Sequence, residues 1–214
     1  MKKRIKVGVL ISGTGTNLRA LIDASRAVDY PAEIVLVISN KSDAEGIKWA
    51  TQANIPTKVI KHETFKTREE FDEQLSNELV AFNCELVCLA GFMRILSENF
   101  VNKWPNRIIN IHPSLLPSFT GREVHTRVIA AGVRISGCTL HYVTPELDSG
   151  PIIAQAAVPV LIEDTPKDLA ARVLQQEHKI YPLGLAIIAS RLAERSGEKT
   201  RKYLEKVGEV LINF

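Results

Sequence analysis

The 214-residue chain predicts an α/β fold in which helices flank a mostly parallel, twisted sheet that turns partly antiparallel in its C-terminal half. Three observations predict it. Short runs rich in Val, Ile and Leu alternate with longer stretches whose apolar residues recur at helical spacing, the rhythm of parallel strands joined by crossover helices. A glycine-rich turn, Ser12-Gly13-Thr14-Gly15-Thr16-Asn17, follows the first such run and precedes a helical pattern. Late in the chain, two strand-like runs over 138–143 and 152–160 leave no room for a helix between them, which argues for antiparallel pairing there.

In order, strands are expected over 6–12, 33–39, 57–60, 86–90 and 108–111, with helices over 18–29, 44–53 and 68–82 between them. The basic start, MKKRIKVGVLIS, imitates a signal peptide, but its apolar run is too short and no small-residue cleavage site follows, so it reads as the first strand. The last long helix starts near Thr165, where Thr165-Pro166-Lys167-Asp168 supplies an N-cap, a proline at the first helical position and an acidic residue two further on; it runs past Glu177. A polar, basic tail follows from about Ser196. No repeat, low-complexity segment or Gly/Ser linker divides the chain.

Composition narrows the function classes. With 45% hydrophobic and 24% charged residues the chain is an ordinary globule, and 27 Lys+Arg against 24 Asp+Glu leave a net charge of +3, too small and scattered to imply a nucleic-acid partner. No apolar run is long enough to span a membrane. Cys84, Cys88 and Cys138 are an odd set, the first two in an apolar stretch read as strand-bound, which points to a reduced, cytoplasmic setting.

The glycine turn has phosphate-binding character, because glycines free the backbone while the amides of a helix start face an anion. The same glycines also suit a tight turn that serves packing alone. Leu18 stands where a third dinucleotide-fold glycine would be, and the second strand ends at Ser39-Asn40 without the ribose-binding carboxylate, so this Rossmann-like unit is not expected to take a dinucleotide. A Gly-Lys-Ser/Thr cradle is also lacking. A small phosphate monoester fits best.

The most informative stretch is Asn110-Ile111-His112-Pro113-Ser114-Leu115-Leu116-Pro117. Asn110 and His112, two apart on a strand end, share one face at the carboxyl edge, where open α/β sheets place their sites. A carboxamide there can donate to a developing oxyanion, and an imidazole can move or stabilise a proton. Asp148, in the turn-rich Thr144-Pro145-Glu146-Leu147-Asp148-Ser149-Gly150-Pro151, could orient His112 or take a proton through water. A purely structural reading, hydrogen-bonded strand-end residues and an Asx turn, stays open on the residues alone. A zinc site from His112, His125, His141 and Asp148 matches no compact ligand spacing, and no metal is expected.

Several stretches carry a family resemblance: the loop from Ser12 to Leu18, Leu89-Ala90-Gly91-Phe92-Met93-Arg94-Ile95-Leu96, the Asn110 to Pro117 run, Glu146 to Pro151, and Gln176-Glu177-His178-Lys179-Ile180-Tyr181-Pro182. Over about residues 5–190, in the same order, the chain resembles the phosphoribosylglycinamide formyltransferases, a family of folate-dependent formyltransferases.

The resemblance implies transfer of a formyl group from 10-formyltetrahydrofolate, a cosubstrate, to the amine of 5-phosphoribosylglycinamide in purine biosynthesis. It implies a single domain over 1–214, with a phosphate-binding lobe at about 1–105, a catalytic and folate lobe at about 106–195 and the tail at 196–214. The family's catalytic asparagine, histidine and aspartate fall on Asn110, His112 and Asp148. Asn110 and a charged His112 would hold the oxyanion, with Asp148 supporting that charge and receiving a proton through water. Gly13, Thr14, Gly15, Thr16 and Asn17 fall on the ribose-phosphate site, and Glu177 on the glycinamide contact.

Met93, Arg94, Ile95 and Leu96, together with Asn110, Thr144 and Asp148, fall on the folate pocket, and Arg68 lies near the folate glutamate tail. Read without the comparison, Glu177 is a solvated helix residue, 93–96 is a buried strand leading into a helix, and Arg68 is a surface arginine. The bulky Arg122-Glu123-Val124 departs from the family's small residues before His125, and Leu116-Pro117 matches a bond that tends to be cis in the family. The alternatives weighed are a formyltetrahydrofolate hydrolase and a non-catalytic folate or phosphosugar binding module. The hydrolase's extra N-terminal module and the C-terminal RNA-binding domain of methionyl-tRNA formyltransferase fit this length less well. Small molecules are the expected partners, with neither nucleic acid nor membrane, for a monomer or homodimer.

Overall fold

The computed structural model describes residues 3–194, so the tail expected at 196–214 lies outside the described residues. The sheet has seven strands: β1 (Ile5–Ile11), β2 (Ala32–Ser39), β3 (Thr57–Val59), β4 (Leu86–Leu89), β5 (Ile108–His112), β6 (Ile135–Tyr142) and β7 (Ile152–Pro159), arranged β3-β2-β1-β4-β5-β6-β7. The strands from β3 to β5 pair in parallel, whereas β5 with β6 and β6 with β7 run antiparallel. The two ends of the sheet differ as their sequences do. β1 is buried almost throughout, as a strand covered on both faces must be, while β7 alternates exposed and buried residues toward its end.

The helices are α1 (Thr16–Ser25), α2 (Gly46–Gln52), α3 (Arg68–Ala81), α4 (Glu98–Lys103), α5 (Val124–Ala130) and α6 (Pro166–Glu194). One core packs Leu18 and Leu21 of α1, Val128 of α5 and Tyr181 and Leu185 of α6 against Val7, Val9, Ile109 and Ile111 of the sheet. The opposite core packs Phe71, Leu75 and Leu79 of α3 and Phe100 of α4 against Leu10, Leu36 and Ile108. The period of two along each strand assigns its side chains to one core or the other.

α6 begins where the sequence places it. Thr165 Oγ1 accepts from Asp168 N at 3.3 Å and Thr165 N donates to Asp168 Oδ2 at 3.0 Å, a reciprocal cap ahead of Pro166. Tyr181, fully buried, donates its hydroxyl to the carbonyl of Leu89 at 3.0 Å, which fastens the middle of this helix to the end of β4.

Several expectations need correcting. β4 stops at Leu89, and 91–97 is a loop in which Met93, Arg94 and Ile95 are exposed, so it is no buried strand leading into a helix. Cys84 precedes β4 rather than lying in it, although it is buried. β6 starts at Ile135, three residues before the expected 138, and α1 ends at Ser25 rather than at 29, with Val28 exposed on the far side. α4 and α5, of 6 and 7 residues, have no counterpart among the expected helices.

Candidate active site

The glycine turn leaves the carboxyl end of β1 and enters α1, beside the point where the strand order reverses between β1 and β4, a position at which open sheets bind ligands. Gly15 has φ of 71°, a left-handed conformation, and a Cβ built on it would lie 2.5 Å from Gly46 Cα. Glycine is therefore required twice over. The turn is braced by α2: Gly46 N donates to the carbonyl of Gly13 at 3.1 Å, and Trp49 Nε1 donates to that of Thr14 at 3.2 Å. Gly13 and Thr14 stay exposed, and Thr16 opens the ten-residue α1. The arrangement leaves the amides of the helix start available to an anion.

Asn17 faces inward instead. Its Nδ2 donates to Glu177 Oε2 at 2.6 Å, a bond spanning 160 residues, and its buried Oδ1 meets no hydrogen-bond partner among the described residues. Glu177 is 7% exposed, and burial raises its carboxyl above the ordinary value, a shift that the Asn17 bond opposes. The reading of Glu177 as a solvated helix residue is thereby overturned, because α6 presses this face onto α1.

Asn110 and His112 share one face of β5, since Ile109 and Ile111 turn into the core under α6. Antiparallel register sets Asn110 opposite His141, which sequence reading had weighed only as a metal ligand. His141 Nδ1 donates to the Tyr142 carbonyl at 2.9 Å, which makes Nε2 the acceptor, and Asn110 Nδ2 donates to it at 3.2 Å. Burial lowers the His141 pKa, in keeping with this neutral tautomer. The amide of Asn110 is thus oriented, with its second Nδ2 hydrogen uncommitted by this bond.

His112 Nε2 lies 2.9 Å from the carbonyl of Phe119, which can only accept, so Nε2 carries a proton. Its Nδ1 is 3.5 Å from Asp148 Oδ2, beyond ordinary hydrogen-bond length and within ion-pair range. Both side chains are 6% exposed. Asp148 sits at φ of 52° and accepts from Gly121 N at 2.8 Å. His141 Nε2 lies 3.9 Å from Asp148 Oδ1, so the trio is joined through two imidazoles, Asn110 by way of His141 and His112 directly, beside the 113–123 segment. That segment contains the cis Leu116–Pro117 bond and is held to β6 by Thr139, whose Oγ1 donates to the Ser114 carbonyl at 2.7 Å. The bulky Arg122-Glu123-Val124 is accommodated by Glu123 at φ of 54°, with Val124 buried and Arg122 exposed. Burial, with His112 nearby, lowers the pKa of His125.

The donor-side candidates are spread more widely. Leu89 pairs with Asn110, so the 90–97 loop leaves β4 right beside it; there Met93 and Ile95 are 60% and 57% exposed while Leu96 is buried. Thr144 caps its own turn, donating to the Glu146 carbonyl at 3.2 Å. Arg68 opens α3 with its side chain exposed, and its charge reaches Asp72 rather than the trio. Among the described residues no cluster of three His, Cys, Asp or Glu side chains is placed to hold a metal ion, and no helix is long and apolar enough to cross a membrane. The contributions of Phe119, Gly121 and Trp49 were missed. Two of these act through the backbone, which leaves no signal in residue type.

The model of a family described as formyl transferase matches residues 5–185. The chain is 54% identical over 187 residues to the trifunctional purine biosynthetic protein adenosine-3 of Gallus gallus, covering 87% of this chain and 19% of that protein. It is 44% identical to the phosphoribosylglycinamide formyltransferase of Haemophilus influenzae, covering 83% of this chain and 84% of that one. The crystal structure of glycinamide ribonucleotide transformylase 1 from Symbiobacterium toebii superposes with a TM-score of 0.85 at 45% identity, covering 87% and 88% of the two chains. This chain thus spans 14% to 20% of the length of the trifunctional relatives that it matches.

Proposed function

Because the chain belongs to the formyl transferase family, we propose that it transfers the formyl group of 10-formyltetrahydrofolate to the amine of 5-phosphoribosylglycinamide, a step of purine biosynthesis. The observation that carries the proposal is the meeting of Asn110, His112 and Asp148 at the end of β5, with an anion-ready glycine turn two strands away.

The chemistry accounts for each group. Attack of the amine on the formyl carbon forms a tetrahedral oxyanion next to an ammonium, and both charges need partners in a cleft poor in water. The second Nδ2 hydrogen of Asn110 and the Nε2 hydrogen of His112, now given to the Phe119 carbonyl, are the donors for the oxyanion. Asp148 faces the positive charge that the imidazole carries when both nitrogens are protonated, and through water it accepts the proton lost by the amine on its way to the folate nitrogen. Residues 13–17 take the ribose phosphate, and Glu177, which accepts from Asn17, contacts the glycinamide. Met93, Arg94, Ile95 and Leu96 line the donor pocket with Thr144, and Arg68 lies toward the donor's glutamate tail.

The test follows release of deformylated folate by absorbance, with and without phosphoribosylglycinamide in the cuvette. Release that requires the glycinamide is the expected result. Release without it would make the chain a hydrolase, and no release in either case would return it to a binding module.

A further inference from the structure

We propose that Ser12 is a positioning residue for the formyl donor, acting through the 90–97 loop; this rests on the reading of that loop as the donor-side wall. The loop faces a physical difficulty. It has no ladder partner beyond β4, yet it holds Met93 and Ile95 out into water between buried Phe92 and Leu96. Three hydrogen bonds fix its course. At its ends Ala90 N donates to the Leu10 carbonyl at 2.9 Å, and Ser97 N donates to Asp72 Oδ2 at 2.5 Å. At its centre Met93 N donates to Ser12 Oγ at 2.8 Å.

The central post is itself oriented. Ser12, only 4% exposed, donates its one hydroxyl hydrogen to Asn40 Oδ1 at 2.6 Å, so that a lone pair is left for the Met93 amide. Asn40 is turned the right way by its Nδ2, 3.3 Å from His62 Nδ1. Residues from the ends of β1 and β2 and from the turn after β3 thus set the middle of a loop that follows β4. Ser12 also opens the glycine turn, but the braces of that turn, from Gly46 and Trp49, hold the carbonyls of Gly13 and Thr14 and not Ser12. Loss of the hydroxyl should therefore reach the donor side and spare the acceptor side.

Removing it leaves the Met93 N–H and Asn40 Oδ1 without their shared partner, a deficit that converts to about tenfold in an equilibrium constant. In steady-state transfer assays on the full chain, Ser12→Ala should raise KM for the formyl donor about tenfold, with kcat and KM for phosphoribosylglycinamide within about twofold of wild type. Ser12→Thr, which keeps the hydroxyl, should restore the donor KM. Equal rises in both KM values, a fall in kcat alone or an unchanged donor KM would overturn the role.

Hydrogen exchange by NMR on the wild-type chain gives a second reading that needs no variant to fold. The Met93 amide should exchange at least about a hundredfold more slowly than an unstructured amide, and exchange near the intrinsic rate would overturn the anchor. If the wild-type chain shows no glycinamide-dependent turnover, the functional reading falls and the donor role with it. If it turns over while Ser12→Ala keeps the wild-type donor KM, only the role of Ser12 falls.

Discussion

The two sides of this sheet solve the problem of building a site in opposite ways. Around β1, the continuous segment 13–17 offers its backbone: Gly15 takes a left-handed turn, α2 braces two carbonyls, and the helix start presents its amides. Around β5 and β6, side chains from three separate stretches converge, Asn110 and His112, His141, and Asp148, and the 119–121 backbone orients two of them. The first arrangement is the one our proposal gives to the phosphate, since backbone amides suit any anion. The second aims specific donors and a carboxylate at one point, which is what stabilising transient charge requires.

That contrast is open to breaking. The largest effect is expected on the β5 side: His112→Ala should lower turnover by about a thousandfold while donor affinity stays near wild type, measured by steady-state transfer beside equilibrium binding. A comparable loss of affinity would mean that His112 binds rather than acts. On the β1 side, Gly15→Ala meets both a strained φ and the Gly46 backbone at 2.5 Å, so it should cost about 2 kcal/mol or more and lower Tm by roughly 5 °C. An unchanged melting curve would show that the turn is looser than its packing implies.

Glu177 ties α6 to the β1 side through Asn17. Its native carboxyl titrates above the unfolded value of 4.5, so its contribution favours the folded state fully below pH 4.5 and is lost as pH rises through the raised native value. Relative to Glu177→Gln, the wild-type chain should therefore lose stability across that interval, read as the difference in denaturant midpoints. A difference that does not vary with pH would place Glu177 in water. The smallest effect concerns thiol chemistry. Burial pushes Cys84, Cys88 and Cys138 up to about 12, so native protein at pH 8 should resist alkylation that goes to completion in denaturant. Rapid labelling of the native chain would contradict their burial.

The same contrast explains what could be read from the sequence. The alternation of strands and helices, the glycine turn and the Thr165 cap are local patterns, and each appears where its residues place it. Strand spacing and residue type single out Asn110, His112 and Asp148, the family motifs add their roles, and the antiparallel register sets Asn110 opposite His141 beside Asp148. His141 escaped because its role depends on lying opposite Asn110, a long-range fact that residue type does not encode. Phe119 and Gly121 contribute only main-chain groups, so no side chain announces them. Glu177 looked solvated for a related reason: its helix is amphipathic, but which neighbour covers this face is settled only by the packing of α6 on α1.

The division of labour between the two sides is tested most directly by steady-state transfer kinetics of Asn17→Ala beside Asn110→Ala. The account predicts that Asn17→Ala raises KM for phosphoribosylglycinamide with kcat nearly unchanged, and that Asn110→Ala lowers kcat with both KM values nearly unchanged. The reverse pattern, or the same pattern in both variants, would contradict it.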